Sequence, residues 1–131
     1  MSRIPADLRY TENHEWIRAV ADGTLEIGIT DHAQQALGDL ISIALPEVGR
    51  NVAQGEACAV IESAKTTSEL YAPIAGEVTA ANSKLADQPE AVNADAYGNW
   101  LMRIRPAAGS LMTPKLMSPE QYSNFVEADG G

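Results

Sequence analysis

A chain of 131 residues is long enough to bury one real core and too short for two independent ones, so one domain covering 1–131 is expected. Eighteen acidic residues against nine basic ones give a formal charge of -9, which repels phosphate backbones and anionic membrane surfaces and argues against nucleic-acid or membrane binding. Cys58 is the lone cysteine; it can form no internal disulfide and belongs to no metal-ligating spacing, so it reads as a core residue.

In chain order, residues 1–7 hold no apolar run, and no later stretch reaches the length of a membrane span, so a soluble cytoplasmic protein is expected. Residues 14–20 and 24–30 read as a hairpin around Asp22-Gly23. In the second arm Leu25, Ile27 and Ile29 alternate with Thr24, Glu26, Gly28 and Thr30, the pattern of a half-buried strand. Asp31 is placed to cap a short helix through Leu37, which Gly38 ends. Residues 40–45 alternate again, with Ile41, Ile43 and Leu45 on one face; in residues 100–105, Trp100, Met102 and Ile104 oppose Leu101, Arg103 and Arg105.

The middle of the chain reads as two related β units. Pro46-Glu47-Val48-Gly49 and Pro73-Ile74-Ala75-Gly76 are both P-x-x-G, each between strand-like runs, and Pro and Gly mark tight reversals. Near the C-terminus Ser118, Pro119 and Gln121 form a capping-box pattern for a helix over about 118–127. Its Tyr122, Phe125 and Val126 fall on one face that can dock on the sheets, and residues 129–131 are expected to fray.

Lys65 lies midway between the two units, at the reversal between strand candidates 57–62 and 67–72. The other lysines are Lys84 and Lys115; Lys65 alone is bracketed by two strands and by Glu62 and Glu69. A solvated turn lysine is the plain reading. A Schiff-base nucleophile would need desolvation or a neighbouring cation, which Ser63, Thr66 and Thr67 do not supply. A modification site needs an exposed amine held in place, which a hairpin tip provides. His14-Glu15 is not a zinc motif, because Arg18 stands where H-E-x-x-H requires histidine. His32, beside Asp31 at a helix start, reads as part of a cap rather than as an acid-base group.

These residues resemble the glycine cleavage H proteins. The resemblance is carried by Tyr10-Thr11, His14-Glu15-Trp16, the run from Gly28 to Gln34, and Leu37-Gly38-Asp39. It continues through Glu62-Ser63-Ala64-Lys65, Leu70-Tyr71-Ala72-Pro73, Gly76-Glu77-Val78, Asn82, Leu85, Pro89, Val92-Asn93 and Tyr97-Gly98, and it ends in the C-terminal helix. It implies a mainly β, lipoyl/biotinyl-type barrel-sandwich hybrid of two small antiparallel sheets with short helices, including the C-terminal one.

The resemblance further implies a non-catalytic carrier with lipoate attached covalently to Lys65. Its partners would be the P protein (glycine decarboxylase), the T protein (aminomethyltransferase), the L protein (dihydrolipoamide dehydrogenase) and lipoate-attaching enzymes. Glu62, Ser63 and Glu69 would be recognised around the attachment site, and Glu15 and Glu69 would line a resting site for the arm. The sequence departs from the family's habit at Ala64, Thr66, Glu69 and Asn99, which leaves a lipoyl-bearing H-like paralogue, serving as a lipoate relay or in another lipoate-dependent pathway, as the alternative. Biotin carriers resemble one another in having Met on both sides of the lysine; Ala64 and Thr66 stand there instead. An unmodified β-rich interaction module is a further alternative.

Overall fold

The structure is a computed structural model that describes residues 4–107 and 116–128. The expected fraying of 129–131 lies outside the described residues. Among those residues the chain is mainly β, with two antiparallel sheets and short helices. Strands β1 (Arg9–Tyr10), β2 (Glu15–Ala19), β3 (Leu25–Ile29), β5 (Asn51–Val52), β8 (Gly76–Ala81) and β9 (Met102–Pro106) form a six-stranded sheet in the order β1-β2-β3-β9-β8-β5. Strands β4 (Leu40–Ala44), β6 (Ala57–Ser63) and β7 (Thr67–Tyr71) form a three-stranded sheet with β6 central. The main core lies between the sheets, where Ile17, Ile27, Val78 and Ile104 of the first meet Leu40, Ile43, Ile61 and Leu70 of the second.

The β2–β3 hairpin forms where Asp22-Gly23 predicts it. The Asp22 carboxylate accepts from Thr24 N–H at 3.0 Å and from its hydroxyl at 2.6 Å, and Gly23 takes a φ of +90° that a side chain would strain. The expectation of a half-buried β3 is corrected, because all five of its residues are buried. Its second face is covered by an aromatic cluster of Leu8, Tyr10, Trp16, Tyr97, Tyr122 and Val126. Gly28 leaves room for the Trp16 ring, and Glu26 is held between Arg18 (3.2 Å) and Arg103 (2.7 Å).

Helix α1 (Asp31–Leu37) is capped by Thr30, whose hydroxyl accepts from Ala33 N–H at 3.1 Å; Asp31 is the first helical residue. Asp31 instead accepts from the side-chain amides of Gln34 and Gln35. In β4 an irregularity between Leu40 and Ser42 breaks the alternation, so Leu40 and Ile43 are buried while Ile41 is 58% exposed. Sequence periodicity had placed Ile41 beside Ile43. β9 begins at Met102, so Leu101 escapes its alternation and is buried, its N–H donating to Ile27 O at 2.8 Å.

The strands that follow the two P-x-x-G segments pair with one another: Gly49 N–H donates to Val78 O, and β5 pairs with β8 through Asn51↔Glu77 and Val52↔Gly76. The glycines of the two segments answer different needs. Gly49 has a φ of +96°, whereas Gly76 is needed because a Cβ there would strike the backbone carbonyl of Arg105. Short helices α2 (Lys84–Asp87) and α3 (Glu90–Ala94) cross over before β9.

Helix α4 (Pro119–Ala128) opens with the expected box: Ser118 N–H donates to Gln121 Oε1 at 2.9 Å, and Gln121 N–H donates to Ser118 Oγ at 3.2 Å. Tyr122 and Val126 are buried, and the Tyr122 ring stacks on Tyr10 at 4.7 Å.

Candidate functional site

Strands β6 and β7 form an antiparallel hairpin in the smaller sheet, with Glu62 paired to Thr67 at its closed end. Ser63 organises the reversal. Its buried hydroxyl accepts from the N–H groups of Lys65 (3.2 Å) and Thr66 (3.1 Å) and lies 3.1 Å from Thr66 O, to which its own proton is donated; Ser63 N–H also donates to Thr66 O at 2.8 Å. Such side-chain bonds to the following backbone hold a turn in one shape. Ala64 N–H donates to Asp39 O at 3.0 Å, tying the tip to the segment after α1. The tip is a fixed platform, and Lys65 stands exposed on it.

That segment is itself clamped. Asn93, on α3, donates through Nδ2 to Gln34 Oε1 and Gly38 O and accepts from Leu40 N–H, all at 2.9 Å. Gly38 has a φ of +82°, and a Cβ added there would lie 3.5 Å from Lys65 Cε and 3.7 Å from Cδ. The lysine stem therefore runs over Gly38. Sequence reasoning identified Gly38 as a helix terminator but missed it as the seat of the Lys65 stem, and it missed Asn93 as the clamp. The i, i+3 cap pattern was a local signal, whereas Asn93 is more than fifty residues away from all three of its partners in the chain.

Glu62 and Glu69 are exposed, the first just before the turn and the second opposite Val60 on β7. No ion pair engages Lys65 among the described residues. Glu15 lies elsewhere: it is 1% exposed, its carboxylate accepts from Tyr71 N–H at 2.8 Å and from the Thr11 hydroxyl at 3.4 Å, and it faces the interior between the sheets. Burial pushes its carboxyl from an ordinary value near 4.5 up to about 8, a rise that those two hydrogen bonds partly offset. In this conformation Glu15 is buried, whereas Glu69 is exposed on β7.

The remaining polar residues have structural partners. His14 Nδ1 lies 2.8 Å from the Tyr122 hydroxyl, which is also 2.8 Å from Thr30 Oγ1, and the His14 and His32 rings are 4.7 Å apart. Cys58 is buried as expected, near Leu70 O and Met102 Sδ; burial pushes its thiol up to about 12, far from a reactive thiolate. No group of three or more His, Cys, Asp or Glu able to hold a metal occurs among the described residues, and no helix there is long and apolar enough to cross a membrane. What the arrangement offers chemically is one amine, displayed at a fixed height and angle.

The chain was compared with known proteins. The family model described as Glycine cleavage H-protein matches residues 8–129. The glycine cleavage system H protein of Azoarcus sp. (strain BH72) is 63% identical over 127 residues, covering 96% of this chain and 98% of that protein. That of Burkholderia cenocepacia (strain HI2424) is 54% identical over 127 residues, covering 97% and 100%. A crystal structure of a glycine cleavage system H protein from Mycobacterium marinum superposes with a TM-score of 0.83 at 38% identity, covering 98% of this chain and 100% of that one. A match of this extent, on a mainly β fold with a lysine at a rigid hairpin tip, places the chain in the glycine cleavage H-protein family.

Proposed function

We propose that this chain is a lipoyl carrier whose attachment point is Lys65, and that it acts as a component of a multienzyme system without catalysing a reaction itself. The observation that carries the reading is the exposed Lys65 on a turn fixed by Ser63 and Asp39, in a member of the H-protein family. The residues fit such a group: the amine is unpaired by any carboxylate among the described residues, and its stem is already supported by Gly38. When attached, lipoate supplies a disulfide that can carry an aminomethyl group from the P protein to the T protein and be reoxidised by the L protein.

The chain's own residues do the positioning. Ser63 and Asp39 hold the turn, so the point from which the arm swings does not move with it. Tethering at one fixed point keeps the arm at high effective concentration near whichever partner is docked. Glu62 and Glu69 flank the lysine with negative charge, which favours a basic partner surface and weak, salt-sensitive docking suited to repeated exchange. Glu69 would stand at the rim of the arm's resting site. Glu15 would contribute from beneath β7, and only by releasing Tyr71 N–H.

Intact-mass and peptide mass spectrometry of the protein purified from its native cell tests the reading. A lipoyl increment on the Lys65 peptide, absent from Lys65→Ala, is expected. A biotin increment, or no increment while other proteins are lipoylated, overturns it. Glycine exchange with the purified P protein then separates service in glycine cleavage from a related lipoate-dependent role.

A further inference from the structure

For Lys65 to meet a partner in one geometry, two things must be fixed: the backbone it hangs from and the stem that carries its amine. Ser63 and the Asp39 carbonyl fix the first. They leave the second open, because a lysine side chain is long and flexible and no carboxylate pairs with this one among the described residues. Contact with Gly38 orders it instead. A Cβ placed on Gly38 would lie 3.5 Å from Lys65 Cε, 3.7 Å from Cδ and 3.9 Å from Cγ, so successive carbons of the stem lie along this one residue.

Gly38 is itself held in an uncommon shape. Its φ of +82° and ψ of -155° fall in a region entered essentially by glycine alone, and such a conformation persists when its neighbours over-determine it. Asn93 does so from both sides. Its Nδ2 donates to Gly38 O and to Gln34 Oε1, and its Oδ1 accepts from Leu40 N–H, all at 2.9 Å. Gly38 N–H donates to Gln34 O at 3.0 Å, and Asp39, between the two braced residues, offers its carbonyl to Ala64 N–H at 3.0 Å. One side-chain amide therefore steadies both the seat of the stem and the tie that holds the turn. Its base is firm: Val92 is buried, and Asn99 Nδ2 closes α3 on Ala91 O and Asp95 O.

We infer that Asn93 is a positioning residue for acyl transfer to Lys65: through Gly38 it holds the lysine stem in one orientation, so that Nζ is offered along one line. The inference rests on the carrier reading above and adds to it a residue from outside the hairpin. In that transfer Nζ attacks an activated carboxyl carbon. A C–N bond forms, the carbon's bond to its leaving group breaks with the electron pair departing on that group, and the displaced proton goes to solvent. Asn93 touches none of these atoms. It acts by orientation, because reacting atoms already held near the line of attack lose less freedom in reaching it. Its removal therefore slows the chemical step and leaves docking, which other residues set, as it was.

The test uses the full, unmodified chain, a purified lipoate–protein ligase, lipoate and ATP, with initial rates measured against chain concentration. Asn93→Ala is expected to lower kcat about tenfold while KM stays within about twofold of wild type. Gly38→Ala, which adds a side chain where the backbone conformation disfavours one, is expected to do the same without touching Asn93, and it carries the test if Asn93→Ala does not fold. Acylation of Lys65 by a small N-hydroxysuccinimide ester, which needs no fixed approach, is expected to be unchanged in both. Tyr122→Phe, altered far from the turn, is expected to keep the wild-type kcat, which separates positioning from a general loss of stability. Nuclear Overhauser contacts between Gly38 Hα and Lys65 Hε are expected in the wild type and should vanish in Asn93→Ala. A kcat within about twofold of wild type in the folded variants overturns the inference. So does an equal loss of rate toward the ligase and the small ester. Failure of the wild-type Lys65 to be acylated, by a ligase active on another lipoyl protein, would instead overturn the carrier reading, so the two failures are distinguishable.

Discussion

The Glu15 carboxylate accepts the backbone N–H of Tyr71 at 2.8 Å, joining β2 of the larger sheet to β7 of the smaller across 56 positions of sequence. Because burial lifts the Glu15 carboxyl to about 8, the folded protein holds its proton more tightly than the unfolded chain does, where the value is near 4.5. The stability this group contributes is therefore full below pH 4.5 and is lost as pH rises through about 8. Wild-type unfolding free energy should fall by roughly 2–4 kcal/mol more than that of Glu15→Gln between pH 5 and pH 9. Urea titrations of both proteins across this range check it; parallel pH profiles would refute it.

Ser63→Ala removes the hydroxyl that accepts from both Lys65 and Thr66. The expected cost is about 1 kcal/mol in stability, concentrated at the tip, with several-fold faster hydrogen exchange at the Lys65 and Thr66 amides. Acylation of Lys65 should slow in parallel, and Ser63→Thr should restore much of it. Exchange at unchanged rates would show that the backbone alone holds the turn.

Tyr122 links three elements, because its hydroxyl lies 2.8 Å from both His14 Nδ1 and Thr30 Oγ1 while its ring stacks on Tyr10. Tyr122→Phe keeps the ring and removes the hydroxyl, so His14 Nδ1 and Thr30 Oγ1 each lose one hydrogen bond. A loss of about 1–3 kcal/mol is expected in denaturant unfolding. Ring packing should persist, so near-ultraviolet circular dichroism should change little.

Gly76→Ala tests close approach. The new Cβ would press on the Arg105 carbonyl and on Ile104 Cγ2, which is 2.7 Å away, so β8 and β9 must separate. Overpacking of this kind costs about 1–3 kcal/mol, read as a lower melting temperature. Gly23→Ala, which meets no atom within 4 Å, should show only the smaller backbone penalty of its φ of +90°.

Much of this protein was decided by short-range pattern. The Asp22-Gly23 hairpin, the Ser118–Gln121 box, the Lys65 reversal and the burial of Cys58 all depend on residues a few positions apart or on one residue's own character. Turn chemistry and capping are local, so they can be read without knowing what lies across the fold. The order of motifs from Tyr10 to the last helix likewise carried the family resemblance from sequence alone.

Only the tertiary structure decided the rest. Both faces of β3 are buried because Trp16 and Tyr97 cover the side that alternation left to water. Ile41 faces solvent because pairing with β6 slips by a residue, and periodicity assumes no slip. Glu15 is internal because its acceptor role is met 56 residues later, and the stem of Lys65 rests on Gly38 because Asn93 clamps that loop from another helix. Each outcome depends on which distant surface arrives opposite a residue, and that information resides in the packing of the two sheets rather than in any window of the chain.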